Sequence, residues 1–143
     1  MEPGAIRSPA EAAAQHEGAQ ALVLRYLAAM EARELDTAGR LVAEDAELIF
    51  PGGARRSDLG EIIAGSATRY RRIGKHVERC DLSTQPDGRT IVYVLGTLYG
   101  EWPDGTAFVG IRFVDRFELR DGLVRRQEVW NDSAEWRLRS LSP

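Results

Sequence analysis

The amino-acid sequence predicts an α+β domain in which three N-terminal helices cover a strongly curved mixed or antiparallel sheet and enclose a pocket. Helix-start signals and apolar residues at helical spacing occupy the first half of the chain. The second half has long segments separated by the turn signals Asp87-Gly88, Asp104-Gly105 and Asp121-Gly122. Antiparallel strands of that length must twist and coil strongly, and this curvature produces an open half-barrel.

Length and composition restrict the classes of protein to consider. The chain has 143 residues, which fits one domain, and its net charge of −3 argues against a general nucleic-acid binder. The single cysteine, Cys80, cannot form an internal disulfide and indicates a reducing compartment. The first eight residues lack the apolar core of a signal peptide, and no apolar run reaches membrane-spanning length. We therefore expect a cytoplasmic protein with no membrane partner.

Two helices are predicted near the N-terminus. Ser8 and Glu11 form a capping box around Pro9 and start helix 1. Helix 1 carries an apolar stripe at helical spacing, formed by Leu22, Val23, Tyr26, Leu27 and Met30. Asp36 is predicted to cap a short helix 2 that carries Leu41 and Val42.

A short strand and a third helix follow. The strand is predicted at residues 47–50, ended by Pro51-Gly52-Gly53. Asp58 and Glu61 open helix 3, whose apolar face is predicted to continue as far as Ile73. Its last turn would carry a solvated cationic cluster suited to the negative end of the helix dipole, formed by Arg69, Arg71, Arg72 and Lys75.

The last hairpin defines the faces of the sheet. With Asp121-Gly122 as a two-residue turn, Arg120 opposes Leu123. One face then holds most of the large side chains, and we assign it to the concave, helix-covered side. This face is predicted to carry Ile111, Phe113, Asp115, Phe117, Leu119, Val124, Arg126, Glu128, Trp130 and Asp132.

The middle hairpin has two possible registers. A three-residue loop at residues 103–105 places Tyr93, Leu95, Thr97 and Tyr99 on the concave face, whereas a two-residue turn flips every side chain. Pro103 favours the longer loop, because it has no backbone N–H for the shorter turn. The convex face would then carry an apolar patch through which the chain forms a homodimer, formed by Val94, Leu98, Val114 and Val129.

Several segments of the sequence resemble a known superfamily. Residues 26–36, 42–46 and 50–52 resemble the opening of nuclear transport factor 2-like proteins. Residues 108–117, followed by Asp121-Gly122 and residues 129–132, are similar to the SnoaL-like branch of that superfamily. The resemblance covers residues 16–136, which leaves residues 1–15 as an N-terminal extension and 137–143 as a tail. It implies the cone fold, whereas function varies widely on this scaffold.

The resemblance also implies positions for a site. Tyr26 matches the oxyanion tyrosine of the ketosteroid isomerases in this superfamily, and Trp130 matches their pocket tryptophan. Phe50 and Phe113 occupy the positions of their two catalytic aspartates, which argues against isomerase chemistry by that mechanism. Asp132 is the nearest counterpart of the acid–base aspartate of SnoaL-like polyketide cyclases.

Five polar side chains are candidates for chemistry or ligand binding. Asp115 and Asp132 are the acid–base candidates, and Glu128 would line the same pocket. The alternative is that Asp115 and Glu128 pair with neighbouring arginines as a structural network. Tyr26 and Tyr99 would hold ligand oxygens, or else form structural hydrogen bonds in the core.

His76 and Cys80 are the remaining residues considered for chemistry. His76 lies near a pocket position of the ketosteroid isomerases and is a further catalytic candidate. The chain has only 2 histidines, so we expect no histidine metal site, and we expect no cofactor. Cys80 is interpreted as a small core residue rather than a nucleophile.

The leading hypothesis is a cofactor-free acid–base enzyme of isomerase, cyclase or hydratase type. Its substrate would be a small, largely apolar oxygenated molecule enclosed by Phe50, Phe113 and Trp130. Two alternatives remain open: a non-catalytic protein that binds a small ligand in the same pocket, and a dimeric protein-interaction module.

Overall fold

The computed structural model describes residues 8–141. The elements in chain order are α1 (Pro9–Glu31), α2 (Leu35–Gly39), β1 (Val42–Phe50), a 3₁₀ turn (Pro51–Gly53), β2 (Ala54–Arg56), α3 (Leu59–Arg69), β3 (Arg72–Thr84), β4 (Thr90–Glu101), β5 (Ala107–Arg120), β6 (Leu123–Asn131) and α4 (Ser133–Ser140). The α+β class and the three N-terminal helices are confirmed. Strand β2 and helix α4 were not predicted. Part of the predicted N-terminal extension, residues 1–7, and the last two residues of the predicted tail lie outside the described residues.

Two of the predicted helix starts are confirmed. The Ser8 hydroxyl accepts a hydrogen bond from the backbone N–H of Glu11 at 3.1 Å, and Pro9 is the first residue of α1. At α3, the Asp58 carboxylate accepts from the N–H of Glu61 at 2.9 Å. Each cap satisfies a backbone donor that has no partner inside its helix.

The other helix boundaries differ from the prediction. Helix α2 has Glu34 rather than Asp36 at its N-cap, with no side-chain cap, and Val42 already belongs to β1. Helix α3 ends at Arg69, and Tyr70 has an extended backbone. Lys75 therefore lies on a strand, not in the last turn of a helix.

The sheet has six strands in the order β2-β1-β6-β5-β4-β3, and it is mixed because β1 runs parallel to β6 while the other pairs are antiparallel. Helix α1 lies across its concave face and buries Val23, Tyr26, Leu27 and Met30 against it. Among the described residues, no helix is long and apolar enough to cross a membrane.

In the last hairpin the turn was predicted correctly and the strand beyond it was not. Arg120 opposes Leu123 and Leu119 opposes Val124 as expected, but Glu118 pairs with Arg126, so Arg125 is an extra residue in β6. Because side chains alternate between faces, this β-bulge moves Arg126, Glu128 and Trp130 to the convex side. Gln127 and Val129 take their places in the interior.

A second bulge changes the middle hairpin in the same way. Tyr99 pairs with Val109, as the three-residue loop requires, but Leu98 pairs with Ile111. Gly110, with a φ of 94°, is the extra residue. The residues placed on the concave face by prediction, Tyr93, Leu95, Thr97 and Tyr99, therefore lie on the convex face, and Val92, Val94 and Leu98 are buried.

The prediction of an apolar patch on the convex face is therefore wrong. Val94, Leu98 and Val129 are buried in the interior, and Val114 alone of the four lies on the convex face. The side of β5 that faces the interior was predicted correctly, with Ile111, Phe113, Asp115, Phe117 and Leu119 all buried.

Candidate functional site

A cavity of about 150 Å³ lies between α1, α3 and the concave face of the sheet. Its inner wall is mainly apolar and includes Leu98, Phe113 and Val129, all of which are buried. Phe50, Ile63 and Tyr70 line it further. A cavity with this lining favours an apolar ligand body, and polar side chains in it determine orientation.

An ion pair borders the cavity on the side of β3 and β5. The Lys75 ammonium lies 2.8 Å from Oδ2 of Asp115 and 5.1 Å from the centre of the Phe113 ring. Asp115 is 0% exposed and its Oδ1 has no hydrogen-bond partner among the described residues, whereas Lys75 is 26% exposed and lines the cavity. Lys75 is therefore the member of the pair that a ligand can contact, and Asp115 holds it in place.

A second polar pair joins α1 to β6. The Tyr26 hydroxyl donates a 2.8 Å hydrogen bond to Oε1 of Gln127, and both residues are buried and line the cavity. Burial, and secondarily the negative charge of Asp115, raise the pKa of the Tyr26 phenol. The Tyr26–Gln127 pair therefore provides neutral hydrogen-bonding groups.

Charged side chains surround the part of the cavity that reaches solvent. Three arginines line it: Arg33, Arg56 and Arg69. Glu31 is the single carboxylate among the described lining residues, and it accepts a hydrogen bond from the backbone N–H of Lys75 at 2.7 Å. We call the three arginines the arginine rim. The cavity thus combines an apolar interior, one lysine and a cationic opening.

The structure brings four of the predicted site residues together. Tyr26, Phe50 and Phe113 line the cavity, and Asp115 lies directly behind Lys75. The alternative interpretation of Asp115 as part of an ion pair is correct in kind, but its partner is Lys75 and not an arginine of β5 or β6.

Five of the predicted site residues lie outside the cavity, and two of them belong to β6. Trp130 is 52% exposed on the convex face because of the bulge at Arg125. Glu128 is on the same face and forms ion pairs with Arg116 and Arg126. The expectation that Asp115, Glu128, Trp130 and Asp132 point into one cavity is therefore wrong.

Asp132 lies at the start of α4 rather than on the sheet. Its Oδ2 is 2.6 Å from Nε of Arg112, whose side chain is exposed on the convex side. Asp132 is not among the residues that line the cavity. The geometry therefore separates it from the other acid–base candidate, Asp115.

Tyr99 and His76 lie together on the convex face. Their rings stack with centres 4.3 Å apart, and His76 is exposed at the edge strand β3. Tyr99 lies there because the bulge at Gly110 places Leu98, and not Tyr99, on the concave side. Neither residue lines the cavity.

Sequence reasoning missed Lys75 and Gln127. Lys75 was assigned to the end of helix 3, although Gly74 beside it is a signal against a continuing helix. Lys75 is also the only lysine in the chain, which has 18 arginines. Gln127 had no such signal, since its face depends on the bulge at Arg125.

Within residues 8–141, no three His, Cys, Asp or Glu side chains are grouped as metal ligands. Cys80 is a partly buried free thiol packed against the core.

Comparison with known proteins identifies the family. The family model for the SnoaL-like domain matches residues 23–127, which is most of the chain. The chain belongs to the SnoaL-like domain family. This family is part of the nuclear transport factor 2-like superfamily, so the resemblance seen in the sequence is confirmed. No curated protein matches the sequence.

Solved structures of SnoaL-like and related proteins share the fold. An NTF2-like protein of unknown function from Burkholderia pseudomallei K96243 is 18% identical, with a TM-score of 0.72 over 87% of this chain and 98% of that one. A Jannaschia sp. CCS1 protein whose name suggests, without establishing, a SnoaL-like polyketide cyclase is 21% identical, with a TM-score of 0.67 over 98% and 100%. TerC, co-crystallised with polyporic acid, is 21% identical, with a TM-score of 0.68 over 85% and 96%. At these identities the likeness shows the fold alone.

Proposed function

We propose that this SnoaL-like protein binds a small, largely apolar carbonyl compound in the cavity and catalyses proton transfer on it, as an isomerase, cyclase or hydratase does. The observation that carries the proposal is the Lys75–Asp115 ion pair at the wall of an apolar cavity. The names of several structural neighbours, which suggest polyketide cyclases, are consistent with carbonyl chemistry.

Lys75 would act on the oxygen of the ligand. When a proton leaves the carbon next to a carbonyl group, negative charge develops on the carbonyl oxygen, and a cationic donor fixed beside that oxygen stabilises the resulting enolate. The Lys75 ammonium is such a donor, because Asp115 and the Phe113 ring hold it at the cavity. Asp115 contributes as a positioning residue that acts through Lys75.

The Tyr26–Gln127 pair would orient the ligand. Oε1 of Gln127 accepts the hydrogen bond from the Tyr26 hydroxyl, and the amide Nε2 of Gln127 has no acceptor among the described residues. An amide donor beside an apolar wall favours ligands that carry a second oxygen atom. This requirement agrees with a substrate that is apolar but oxygenated.

Exchange of the benzylic protons of phenylacetone in D₂O, followed by ¹H NMR, tests the proposal. The carbon proton passes to solvent and Lys75 stabilises the enolate that remains. We expect the protein to accelerate the exchange, and Lys75→Met to reduce the acceleration by about 100-fold or more. Arg79→Met, which removes an exposed cation from the same strand, should leave the rate unchanged.

Two outcomes would count against enzyme chemistry at this site. An unaccelerated exchange in the presence of saturating protein would favour the alternative of a non-catalytic ligand-binding protein. That alternative has one observation behind it, since both isomerase aspartate positions are phenylalanines, Phe50 and Phe113. Acceleration that survives Lys75→Met would place the chemistry elsewhere.

We also propose that two copies pair through the convex face, as a dimeric module of this fold would. Trp130 is 52% exposed there and Tyr93 is 38% exposed, and burying both against a second copy removes apolar surface from water. Light scattering should give twice the 15.9 kDa mass of one chain, and Trp130→Glu should give the monomer mass. A wild-type monomer would contradict the proposal.

The single cysteine supports a reducing compartment, such as the cytoplasm, as the place of action.

A further inference from the structure

We propose that the ligand of this cavity carries an anionic oxygen group, such as a carboxylate, on a body of one ring, and that Arg56 and Arg69 of the arginine rim bind that group. The inference rests on the proposed function, because it specifies the ligand of the same cavity. It adds a charge and a size to that ligand.

The first observation is the position of Arg56. This residue ends strand β2, and its guanidinium packs directly on α3, where a Cβ at Gly65 would lie 2.6 Å from Nη2. The absence of a side chain at Gly65 thus makes room for the guanidinium beside the cavity. Both Arg56 and Gly65 line the cavity and are partly buried.

The second observation is the lack of carboxylates at the rim. Most arginines of this chain lie within 4 Å of a carboxylate oxygen, including the convex arginines Arg112, Arg116 and Arg126. Among residues 8–141, no carboxylate oxygen lies within 4 Å of the guanidinium groups of Arg33, Arg56 or Arg69. A guanidinium is planar and presents paired N–H donors that match an anionic oxygen group, so the rim offers donors without an anion from the protein.

The other charged groups near the cavity do not neutralise the positive charge of the arginine rim. Asp115 is engaged by Lys75, and Oε1 of Glu31 is engaged by the backbone N–H of Lys75. The cavity opening is therefore cationic while its interior is apolar, and a ligand with one acidic end and one apolar end complements both parts.

The third observation is the size of the cavity. A volume of about 150 Å³ accommodates a molecule of about the size of benzene. A larger apolar body would have to extend past the rim into solvent. We therefore expect one ring inside the cavity and the acidic group at the arginines.

Dissociation constants of 3-phenylpropionate and its neutral primary amide, 3-phenylpropanamide, test the inference. These probes share the ring and differ in charge. NMR titration should show the acid binding about tenfold more tightly than the amide at low salt, because charge-assisted hydrogen bonds are the stronger kind. The advantage should shrink as the ionic strength is raised, because the rim reaches solvent.

Variants locate the effect. Arg56→Gln and Arg69→Gln should each reduce the acid's advantage by about threefold and leave the affinity of the amide unchanged. Arg40→Gln, which removes an exposed arginine outside the cavity, is the matched control and should change neither affinity. Ile63→Trp, which fills the cavity from α3, should weaken both probes.

The outcomes separate this inference from the proposed function. Equal affinities for acid and amide, both weakened by Ile63→Trp, would overturn the anionic ligand and leave the cavity as the binding site. An acid preference that persists in both arginine variants would overturn the assignment to Arg56 and Arg69. Failure of both probes to bind would contradict the inference and, together with an unaccelerated phenylacetone exchange, the proposed function as well.

Discussion

Replacing Lys75 with methionine is expected to lower the free energy of unfolding by about 3 kcal/mol, because it leaves the carboxylate of Asp115 buried without a partner. Asp115 is 0% exposed and its Oδ1 already lacks a hydrogen bond, so the loss of the contact to Oδ2 leaves the carboxylate with no hydrogen-bond partner among residues 8–141. Breaking a fully buried pair costs about 3–5 kcal/mol, and the 26% exposure of Lys75 places this pair at the lower end. Urea unfolding measures the difference.

The double variant Lys75→Met/Asp115→Leu separates charge burial from packing. Replacing a whole buried pair with apolar groups is often neutral or stabilising, so the double variant should recover most of the loss. Arg79→Met is the control on the same strand, since the Arg79–Asp81 pair is exposed and should contribute less than about 1 kcal/mol. A cost below about 1 kcal/mol for Lys75→Met, or no recovery in the double variant, would show that Asp115 is not buried as described.

A second large effect is expected at Gly96 in β4. A Cβ at this position would lie 2.0 Å from the backbone carbonyl oxygen of His76, where β3 carries the extra residue Glu78 and bends towards its neighbour. Backbone atoms cannot move aside as a flexible side chain can, so Gly96→Ala should lower the free energy of unfolding by about 3 kcal/mol or more. Urea unfolding, with circular dichroism to confirm folding, measures it.

Gly18→Ala is the matched control for Gly96→Ala. Gly18 lies inside α1, and a Cβ there would meet nothing within 4 Å. The same substitution should therefore stabilise the protein by about 0.5–1 kcal/mol, because alanine loses less conformational freedom in a helix than glycine does. Equal effects of the two substitutions would contradict the close approach of β3 and β4 that gives the sheet its curvature.

Much of the fold follows from local signals in the sequence. The caps at Ser8 and Asp58 and the two-residue turn at Asp121-Gly122 were predicted because each depends on residues close together in the chain. The curvature was predicted because antiparallel strands as long as β4 and β5 twist and coil strongly, and Gly96 allows the close approach of β3 to β4.

The candidate site was predicted only in part, because the face of the sheet on which a side chain lies depends on every residue between it and the turn. Asp115 and Phe113 were assigned to the correct side because β5 runs from the turn to them without an extra residue. Trp130 was assigned to the wrong side because Arg125 forms a bulge that no glycine or proline marks. Gly110 did mark the other bulge, but a glycine in a strand signals a bend without stating its effect on register.

Lys75 was missed for a different reason. Tyr70 and Ile73 continued the apolar spacing of α3 and so placed Lys75 in its last turn, and periodicity alone could not show that the helix ends at Arg69. The contact that defines its role joins residues 40 positions apart, from β3 to β5 across β4. Such a contact follows from the arrangement of strands and not from any local pattern.

A crystal structure of the protein in complex with phenylacetone tests most directly the claim that this cavity is the functional site. We expect the ring beside Phe113 and Leu98, with the carbonyl oxygen within hydrogen-bond distance of the Lys75 ammonium. A complex in which the ligand binds on the convex face beside Trp130, with the cavity empty, would contradict it.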